Sequence, residues 1–266
     1  MIRKPVVAGM FYERDFKKLN AQIDACFKGV IEQNEKVKAI ISPHAGYMFS
    51  GKAAAHSFSN LPIVDTYVIV GLSHQGFPNC VSYADFETPF GVLKNDQYFS
   101  QELNMKNDEL AHQNEHSIEV QLPFLQHIHP EAKIVPILVS SHEGVAAEIA
   151  RVCKELKRKI ILIASSDFTH YGPSYDYVPF KEFVKKNLYK LDNKAIEFIL
   201  DLDKKGFRGC IEKTGATICG KEPISVLLDY AKLIGIKKAR LLDYYTSGDI
   251  VGDYSNAVGY ASIVFE

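Results

Sequence analysis

The sequence predicts an α/β protein in which helices cover both faces of a mixed, mainly parallel β-sheet, forming a three-layer sandwich. Short apolar runs of strand length alternate with segments whose apolar residues recur every three or four positions, which is the helical period. Residues 66–71 are apolar at successive positions, as expected of a strand buried on both faces. Such alternation favours parallel strands joined by helices. At this length, one domain is expected over residues 1–266.

The first part of the chain predicts helix, strand, helix and strand in turn. Residues 15–33 have apolar side chains at helical spacing, and residues 37–41 form a strand-like run. Small residues between positions 50 and 59 suit a helix packed closely on a sheet, before the strand at 66–71. Glycine and proline interrupt residues 76–98, which are predicted to be an irregular excursion or a hairpin.

The remaining elements continue this alternation. A helix is predicted from Asn114 to Ile128, with a kink or break at Pro123. Residues 133–139 form a predicted strand, in which Pro136 indicates an edge position or a bulge. The later predicted elements are helix 143–157, strand 159–164, helices 180–188, 193–200 and 218–233, and strands 239–245 and 257–265.

The composition argues against several classes of partner. The 31 basic and 32 acidic residues give a net charge of -1, so neither nucleic acid nor an anionic membrane is expected as a partner. No apolar run approaches the roughly 18 to 20 residues that span a bilayer. The first residues lack the apolar core of a signal peptide, so a cytoplasmic location is expected. Five scattered cysteines without a CxxC pair predict free thiols.

Polar side chains follow three predicted strands at the point where each strand ends. His44, His74 and the pair Asp167 and His170 each come directly after one of these runs. In open α/β sheets, ligands bind beyond the carboxyl ends of the strands, where loops converge. A single histidine is more often a surface or hydrogen-bonded core residue, but imidazole is also a common metal ligand. The group therefore predicts a metal or substrate pocket around His44.

Cys219 is the cysteine best suited to a chemical role. It lies in a turn between Gly215 and Gly220, at the start of the predicted helix 218–233. Unpaired amides at a helix N-terminus stabilise a thiolate. The alternative is that Cys219 is a small buried apolar side chain, which is the usual role of a free cysteine.

His112, Glu115 and His116 fit the H-x-x-E-H pattern of one class of zinc peptidases. In those enzymes two histidines on one helix bind zinc and the glutamate acts as a base, but so short a pattern arises easily by chance. The favoured interpretation is a helix whose polar side, with Glu115, His116 and Glu119, packs against the pocket. His116 then contacts the substrate or supports the metal ligands; a solvated helix face is the remaining alternative.

Five motifs together resemble the Memo family over nearly the whole chain. The motifs are Pro-His-Ala-Gly-Tyr at 43–47, Gly-Leu-Ser-His at 71–74, the segment 114–124, Ser-Ser-Asp-Phe-Thr-His-Tyr-Gly at 165–172, and Thr-Ile-Cys-Gly at 217–220. The Memo family is similar in fold to class III extradiol ring-cleaving dioxygenases, which hold non-haem iron in a pocket at the strand ends. The resemblance implies this fold for the present chain.

The resemblance also implies roles for particular residues. It implies that the metal ligands are His44, His74 and Cys219. Asp167 and His170 would line the same pocket, with His170 as the acid or base and Asp167 orienting it or acting as a weak further ligand. Candidate substrate contacts within the motifs are Tyr47, Glu115 and His116.

A thiolate in the third ligand position departs from the two-histidine, one-carboxylate site of the dioxygenases. Thiolate favours copper(I), zinc or a redox-active iron over oxygen-ligated iron(II). Iron or copper is therefore the expected metal, with zinc also compatible, in a metal-dependent oxidoreductase. The alternative is a binding module that takes a peptide or small molecule in the same pocket without turnover.

Overall fold

The computed structural model describes residues 1–31 and 36–266. Within these residues, twelve strands form one sheet. The strands are β1 (Ile2–Arg3), β2 (Ala39–Ser42), β3 (Thr66–Leu72), β4 (Cys80–Val81), β5 (Asp85–Thr88), β6 (Gly91–Asn95), β7 (Lys106–Asn107), β8 (Lys133–Val139), β9 (Ile160–Ser165), β10 (His170–Tyr171), β11 (Ala239–Thr246) and β12 (Ala257–Phe265). The α-helices are α1 (Phe16–Phe27), α2 (Tyr47–Phe58), α3 (Gln97–Glu102), α4 (Glu109–Gln113), α5 (Leu122–Ile128), α6 (Val145–Glu155), α7 (Val184–Leu200), α8 (Lys204–Thr214), α9 (Lys221–Ile234) and α10 (Ser247–Val251).

The centre of the sheet is parallel and its borders are mixed. The order across the sheet is β1-β5-β6-β8-β3-β9-β2-β12-β10. The five strands from β6 to β2 pair in parallel, whereas β12 runs antiparallel to β2. At the carboxyl ends, Ser42 of β2 lies opposite Ser165 of β9, and Val70 of β3 lies opposite Ala164 of β9. Three neighbouring strands therefore end together.

Helices cover both faces of this sheet. Val68 and Val70 of β3 belong to one core, which also contains residues of α3 and of α6 to α9. Tyr67 and Ile69 point into the other core, with residues of α1, α2 and α5. Each fully buried aliphatic side chain of this kind contributes about 1.5–3 kcal/mol. The predicted three-layer α/β sandwich with a mixed, mainly parallel sheet is confirmed.

Several predicted helix boundaries are wrong. The helix expected over 15–33 ends at Phe27, and residues 32 and 33 lie outside the described residues. The two helices predicted at 180–188 and 193–200 are one helix, α7, which begins at Val184. The segment between the predicted helices 193–200 and 218–233, for which no helix was predicted, is mostly helix α8, capped at its start by the Asp203 side chain, which accepts from Gly206 N. The cap, together with burial of Phe207 and Ile211, offsets the low helix propensity of the two glycines in α8.

The helix predicted from Asn114 to Ile128 is also interrupted. The chain turns after α4, makes a 3-10 turn at Glu119–Gln121, and only then enters α5. The Glu115 carboxylate accepts from the backbone N–H groups of His116 and Ser117, so these groups do not form helical hydrogen bonds. Pro123 lies in the first turn of α5, where its missing N–H has no helical partner to lose.

Pro136 was predicted to mark an edge position or a bulge, and the edge position is wrong. β8 lies between β3 and two shorter strands, because β6 pairs with its start and β4 with its end. Pro136 falls between these two pairings, and its carbonyl accepts from Ser82 N at 3.1 Å. At that point no strand partner requires the N–H that proline lacks.

The excursion at 76–98 contains the hairpin that was one of its two predicted forms. β5 and β6 pair antiparallel, with Phe86 opposite Leu93, and Gly91 has a φ of 122° beside the tight turn. None of the helices in residues 1–31 and 36–266 combines the length and apolar character needed to cross a bilayer.

Glu119 anchors the N-terminal segment to the body of the protein. Its carboxylate pairs with Arg3 and accepts from the Tyr12 hydroxyl at 2.7 Å and from the backbone N–H groups of Val6 and Val7. The Glu119 and Arg3 side chains are 0% and 5% exposed. Glu119 was expected to face the pocket, but it faces this segment, because the buried Arg3 charge needs a partner.

Replacing Glu119 by Ala is expected to lower the free energy of unfolding by about 3–5 kcal/mol, because the buried Arg3 charge keeps its hydrogen bonds to His112 O and Glu115 O but loses its negative partner. Urea denaturation measures the change. The matched control is Glu87→Ala, which breaks the neighbouring surface pair of Lys4 and Glu87 and should change stability by less than about 1 kcal/mol. Equal effects of the two substitutions would contradict the anchoring role.

Candidate metal site

The carboxyl ends of β2, β9 and β3 bring the predicted polar residues into one cavity. His44, His74 and Asp167 each lie two residues beyond the end of their strand. Together with His116 and His170 they line a cavity of about 480 Å³. The convergence expected from the strand ends is therefore present in the fold.

Ser165 fixes the tautomer of His44. The Ser165 hydroxyl donates its single hydrogen to Ser117 O at 2.6 Å, since a carbonyl can only accept. It must then accept from Gln121 Nε2 at 2.8 Å and from His44 Nδ1 at 2.9 Å. In neutral His44 the proton is on Nδ1, and the lone pair of Nε2 is available to a ligand.

Glu115 fixes the tautomer of His74. Its carboxylate lies 2.8 Å from His74 Nδ1 and also accepts from the backbone N–H groups of His74, His116 and Ser117. Burial alone raises the pKa of Glu115, but these hydrogen bonds outweigh burial and lower the pKa to about 2. The carboxylate is ionised and accepts the His74 Nδ1 proton, so His74 Nε2 is the nitrogen left for a ligand.

Two of the clustered imidazoles, His44 and His116, favour their neutral forms. Burial, followed by the neighbouring His116 and His74, lowers the pKa of His44 well below its usual value. Burial, followed by His74, likewise lowers the pKa of His116. Neutral imidazole is the form that binds a metal, so these side chains need lose no proton at neutral pH to act as ligands.

Cys219 lies against His44 and Asp167. Its Sγ is 3.3 Å from His44 Nε2 and accepts from Asp167 N at 3.3 Å, while Asp167 Oδ1 accepts from His44 N at 2.8 Å. Burial, followed by the Asp167 charge, raises the pKa of the Cys219 thiol well above its usual value. The stabilisation by helix amides expected from the sequence is outweighed, so a thiolate at this position needs a cation beside it.

Gly220 allows Cys219 to approach the end of β9. A Cβ at this position would lie 2.3 Å from Ser166 Cβ and 2.7 Å from Ser165 O, both too close for any side chain. Gly220 is the residue that precedes α9 and follows Cys219. The glycine is therefore required by close packing at this point.

Two overlapping groups of side chains could hold a metal ion. His44, His74 and His116 form one, and His44, Asp167 and Cys219 form the other; within each group the ligand atoms lie within 4.8 Å of one another. His44 belongs to both. The ligands implied by the family resemblance, His44, His74 and Cys219, are thus divided between the two groups.

A family model described as Memo-like protein matches residues 3–264. The chain belongs to the Memo family. Relatives called MEMO1 family proteins include one from Methanosarcina barkeri, 38% identical over 277 residues that cover all of both chains. The protein of Methanococcoides burtonii is 40% identical over 275 residues, covering 99% of each chain. That of Methanocaldococcus jannaschii is 40% identical over 295 residues, covering 100% of this chain and 99% of the relative.

In this Memo-family chain, Thr217 rather than Asp167 orients His170. His170 Nδ1 lies 3.1 Å from Thr217 O, and His170 N donates to Thr217 Oγ1 at 3.0 Å. Because a carbonyl only accepts, the proton is on Nδ1 and the Nε2 of neutral His170 is unprotonated. The Tyr175 ring packs edge-on at 5.1 Å from the His170 ring.

Tyr47, a predicted substrate contact, is not on the lining of this cavity. Its ring packs on Phe124 at 4.7 Å, and its hydroxyl donates to Val120 O at 2.7 Å. Tyr47 instead lines a separate cavity beside α1 and β11. The prediction is corrected because Tyr47 lies in the first turn of α2, on the face that is buried against α5. Glu115 is also off the lining and acts through His74 and His116.

The zinc-peptidase pattern is wrong for this fold. His112 lies in the last turn of α4, and His116 comes after that helix has ended. His112 is 1% exposed and packs against Phe86, and burial followed by Arg3 lowers its pKa to about 3. The two histidines therefore do not share a helix face, as that mechanism requires.

The residues that form the mouth of the cavity were not predictable from sequence patterns. Met10 and Phe11 reach it from the N-terminal segment, and Tyr175 and Val251 from distant loops and helices. The Phe11 ring lies edge-on to His116 with centroids 5.1 Å apart. Residues 6–12 are mostly apolar, but this local pattern does not show that the segment crosses the site.

Asp192 of α7 supports the loop that carries Asp167 and His170. It is fully buried and accepts from Thr169 Oγ1, from Thr169 N at 3.3 Å and from the Tyr244 hydroxyl at 2.7 Å. Burial raises the pKa of Asp192 to about 6, although these hydrogen bonds oppose the shift. Its ordinary value is about 3.9.

Because the folded state holds the Asp192 proton more tightly, Asp192 destabilises the protein as pH rises from about 4 to 6. Asp192→Asn removes this titration. The unfolding free energy of the variant minus that of wild type is the quantity to compare. It is expected to be about 2–3 kcal/mol larger above about pH 7 than below about pH 4. Urea denaturation at both pH values measures this difference. A pH-independent difference would show that Asp192 does not titrate as described.

Proposed function

We propose that this protein binds a redox-capable metal, iron or copper, through His44, His74 and Cys219, and acts as a metal-dependent oxidoreductase. The observation that carries the proposal is the commitment of both histidine Nδ1 protons to protein acceptors, Ser165 and Glu115. Such partners orient metal-binding imidazoles and raise their basicity. The remaining Nε2 atoms are the ligands that the site offers.

The donor set suits the proposed metals. Two neutral imidazoles and a thiolate are ligands for copper(I), zinc or a redox-active iron. Burial raises the pKa of the Cys219 thiol, which disfavours the thiolate. A metal cation beside Cys219 would stabilise the thiolate. When bound, iron or copper would supply one-electron chemistry or polarise an oxygen of the substrate.

The protein groups around this position would bind and protonate a ligand. His170 Nε2, unprotonated in the neutral ring, takes a proton from a substrate in the cavity and can return it later. His116 contacts the substrate from the lining. Asp167, whose carboxyl accepts from His44 N, fixes the His44 backbone. Phe11 and Met10 give the mouth of the cavity an apolar lining.

Metal analysis tests the proposal on protein purified without added metal. His44→Ala and Cys219→Ala are each expected to lower the metal content at least about 10-fold, since each removes a ligand. His127→Ala is the control, because His127 pairs with Asp24 on the surface and is away from the cavity. Unchanged metal content in both ligand variants would refute a metal site here.

Ser165→Ala should weaken metal binding by about 10-fold to 100-fold, because His44 loses the acceptor that fixes its tautomer. Isothermal titration with the metal found in the wild type measures the affinity. Ser262→Ala is a matched control, since Ser262 is equally buried but its hydroxyl pairs with Ser57. Equal metal affinity in the two variants would contradict the role of Ser165.

A second function is favoured by the mouth of the cavity. Met10 and Val251 are 72% and 58% exposed, and they join Phe11 and Tyr175 in an apolar rim. The cavity volume lies in the range of about 300–1,000 Å³ typical of small-molecule sites. A peptide or small molecule could therefore bind without turnover. Steady oxygen consumption with a catechol or another phenol, lost in His170→Ala, would exclude this non-catalytic function.

A further inference from the structure

We propose that His44, His74 and His116 form a three-imidazole metal subsite, and that a borderline divalent cation held there does not require Cys219. The inference rests on the proposed function in one respect, that this pocket binds metal. It goes further in assigning His116 as a ligand and in separating two classes of metal within one pocket.

The three rings are mutual neighbours in the cavity. The His74 and His116 rings are stacked, with centroids 4.4 Å apart and an angle of 18° between their planes. The His44 ring stands nearly perpendicular to both, at 5.6 Å from His74 and 5.7 Å from His116. One nitrogen from each ring lies within 4.8 Å of the others. Ligand nitrogens on a tetrahedral ion are about 3.3 Å apart, and imidazole lone pairs lie in the ring planes, so the stacked rings must rotate towards one point to bind the same ion.

Glu115 holds two members of this group together. One carboxylate oxygen accepts from His74 Nδ1 at 2.8 Å and from His116 N at 2.9 Å. The same group therefore sets the ring of His74 and the backbone of His116 side by side. Phe11 packs edge-on against the His116 ring and restricts its rotation. Shared support of this kind preorganises ligands at little further loss of side-chain entropy.

The cavity gives access to the three imidazoles more directly than to the thiol. His74 and His116 have side chains 36% and 24% exposed, and both line the cavity with His44. Cys219 is not on that lining and lies in the other ligand group, with Asp167. An ion entering from the cavity thus meets the imidazoles first.

Ligand softness separates the metals that the two groups would hold. Imidazole alone suits divalent ions such as cobalt(II) and copper(II), whereas a thiolate ligand favours copper(I); zinc takes both donors and does not separate the two groups. His44 belongs to both groups and would be a ligand for either class of metal ion. The metal class, rather than a change of fold, then decides whether His116 or Cys219 completes the site.

Cobalt(II) and copper(I) titrations of the metal-stripped, full-length protein test this assignment. His116→Ala is expected to weaken cobalt(II) binding at least about 10-fold while leaving copper(I) affinity within about 3-fold of wild type. Cys219→Ser is expected to show the reverse pattern. His127→Ala should change neither affinity. Thermal unfolding of each variant checks that the fold is retained.

The cobalt(II) spectrum provides a second measurement. We expect wild type to lack the thiolate-to-cobalt charge-transfer band, since Cys219 is not a ligand of this ion. A strong band that disappears in Cys219→Ser, or cobalt(II) affinity unchanged in His116→Ala, would overturn the three-imidazole subsite. If His44→Ala also retained wild-type affinity for both metals, the proposed metal function itself would fail. If His44→Ala loses metal binding and His116→Ala does not, only the role of His116 is refuted.

Discussion

Parallel pairing of β2, β9 and β3 is the constraint on which the candidate site depends. Ser42 and Ser165 are paired across β2 and β9, so the segments that follow them begin at the same edge of the sheet. Parallel strands require covered faces, and helices on both sides bury nearly every residue of these three strands. The rigid core thus fixes the starting points of the loops, and the loops supply the chemistry.

Polar residues outside the ligand groups then set the orientation of each side chain. Ser165 determines which nitrogen of His44 is free, and Glu115 does so for His74. Glu119 brings the N-terminal segment across the sheet, where Phe11 contacts His116. These residues occupy turns and strand ends. Buried hydrogen-bond networks of this kind specify one arrangement because each unpaired member would be unfavourable.

Most of the fold was predictable, since long apolar periodic segments have few alternative structures. The fold class and the family were confirmed, and the convergence of His44, His74, Asp167 and His170 followed from strand ends alone. The break after α4 was not predictable, because the Glu115 carboxylate competes for amides that local propensity assigns to a helix. The position of Tyr47 was missed for a related reason: a motif does not show which way a side chain faces.

The sequence by itself determined the alternation of strands and helices, the family, and the residues that follow three strand ends. These are local or motif-based properties, which the order of residues encodes directly. Only the tertiary structure decided that His116 stacks on His74, that Thr217 holds His170, and that His44 joins two ligand groups. Those contacts link residues far apart in the chain, and they depend on side-chain direction and on buried hydrogen bonds whose partners no local pattern identifies.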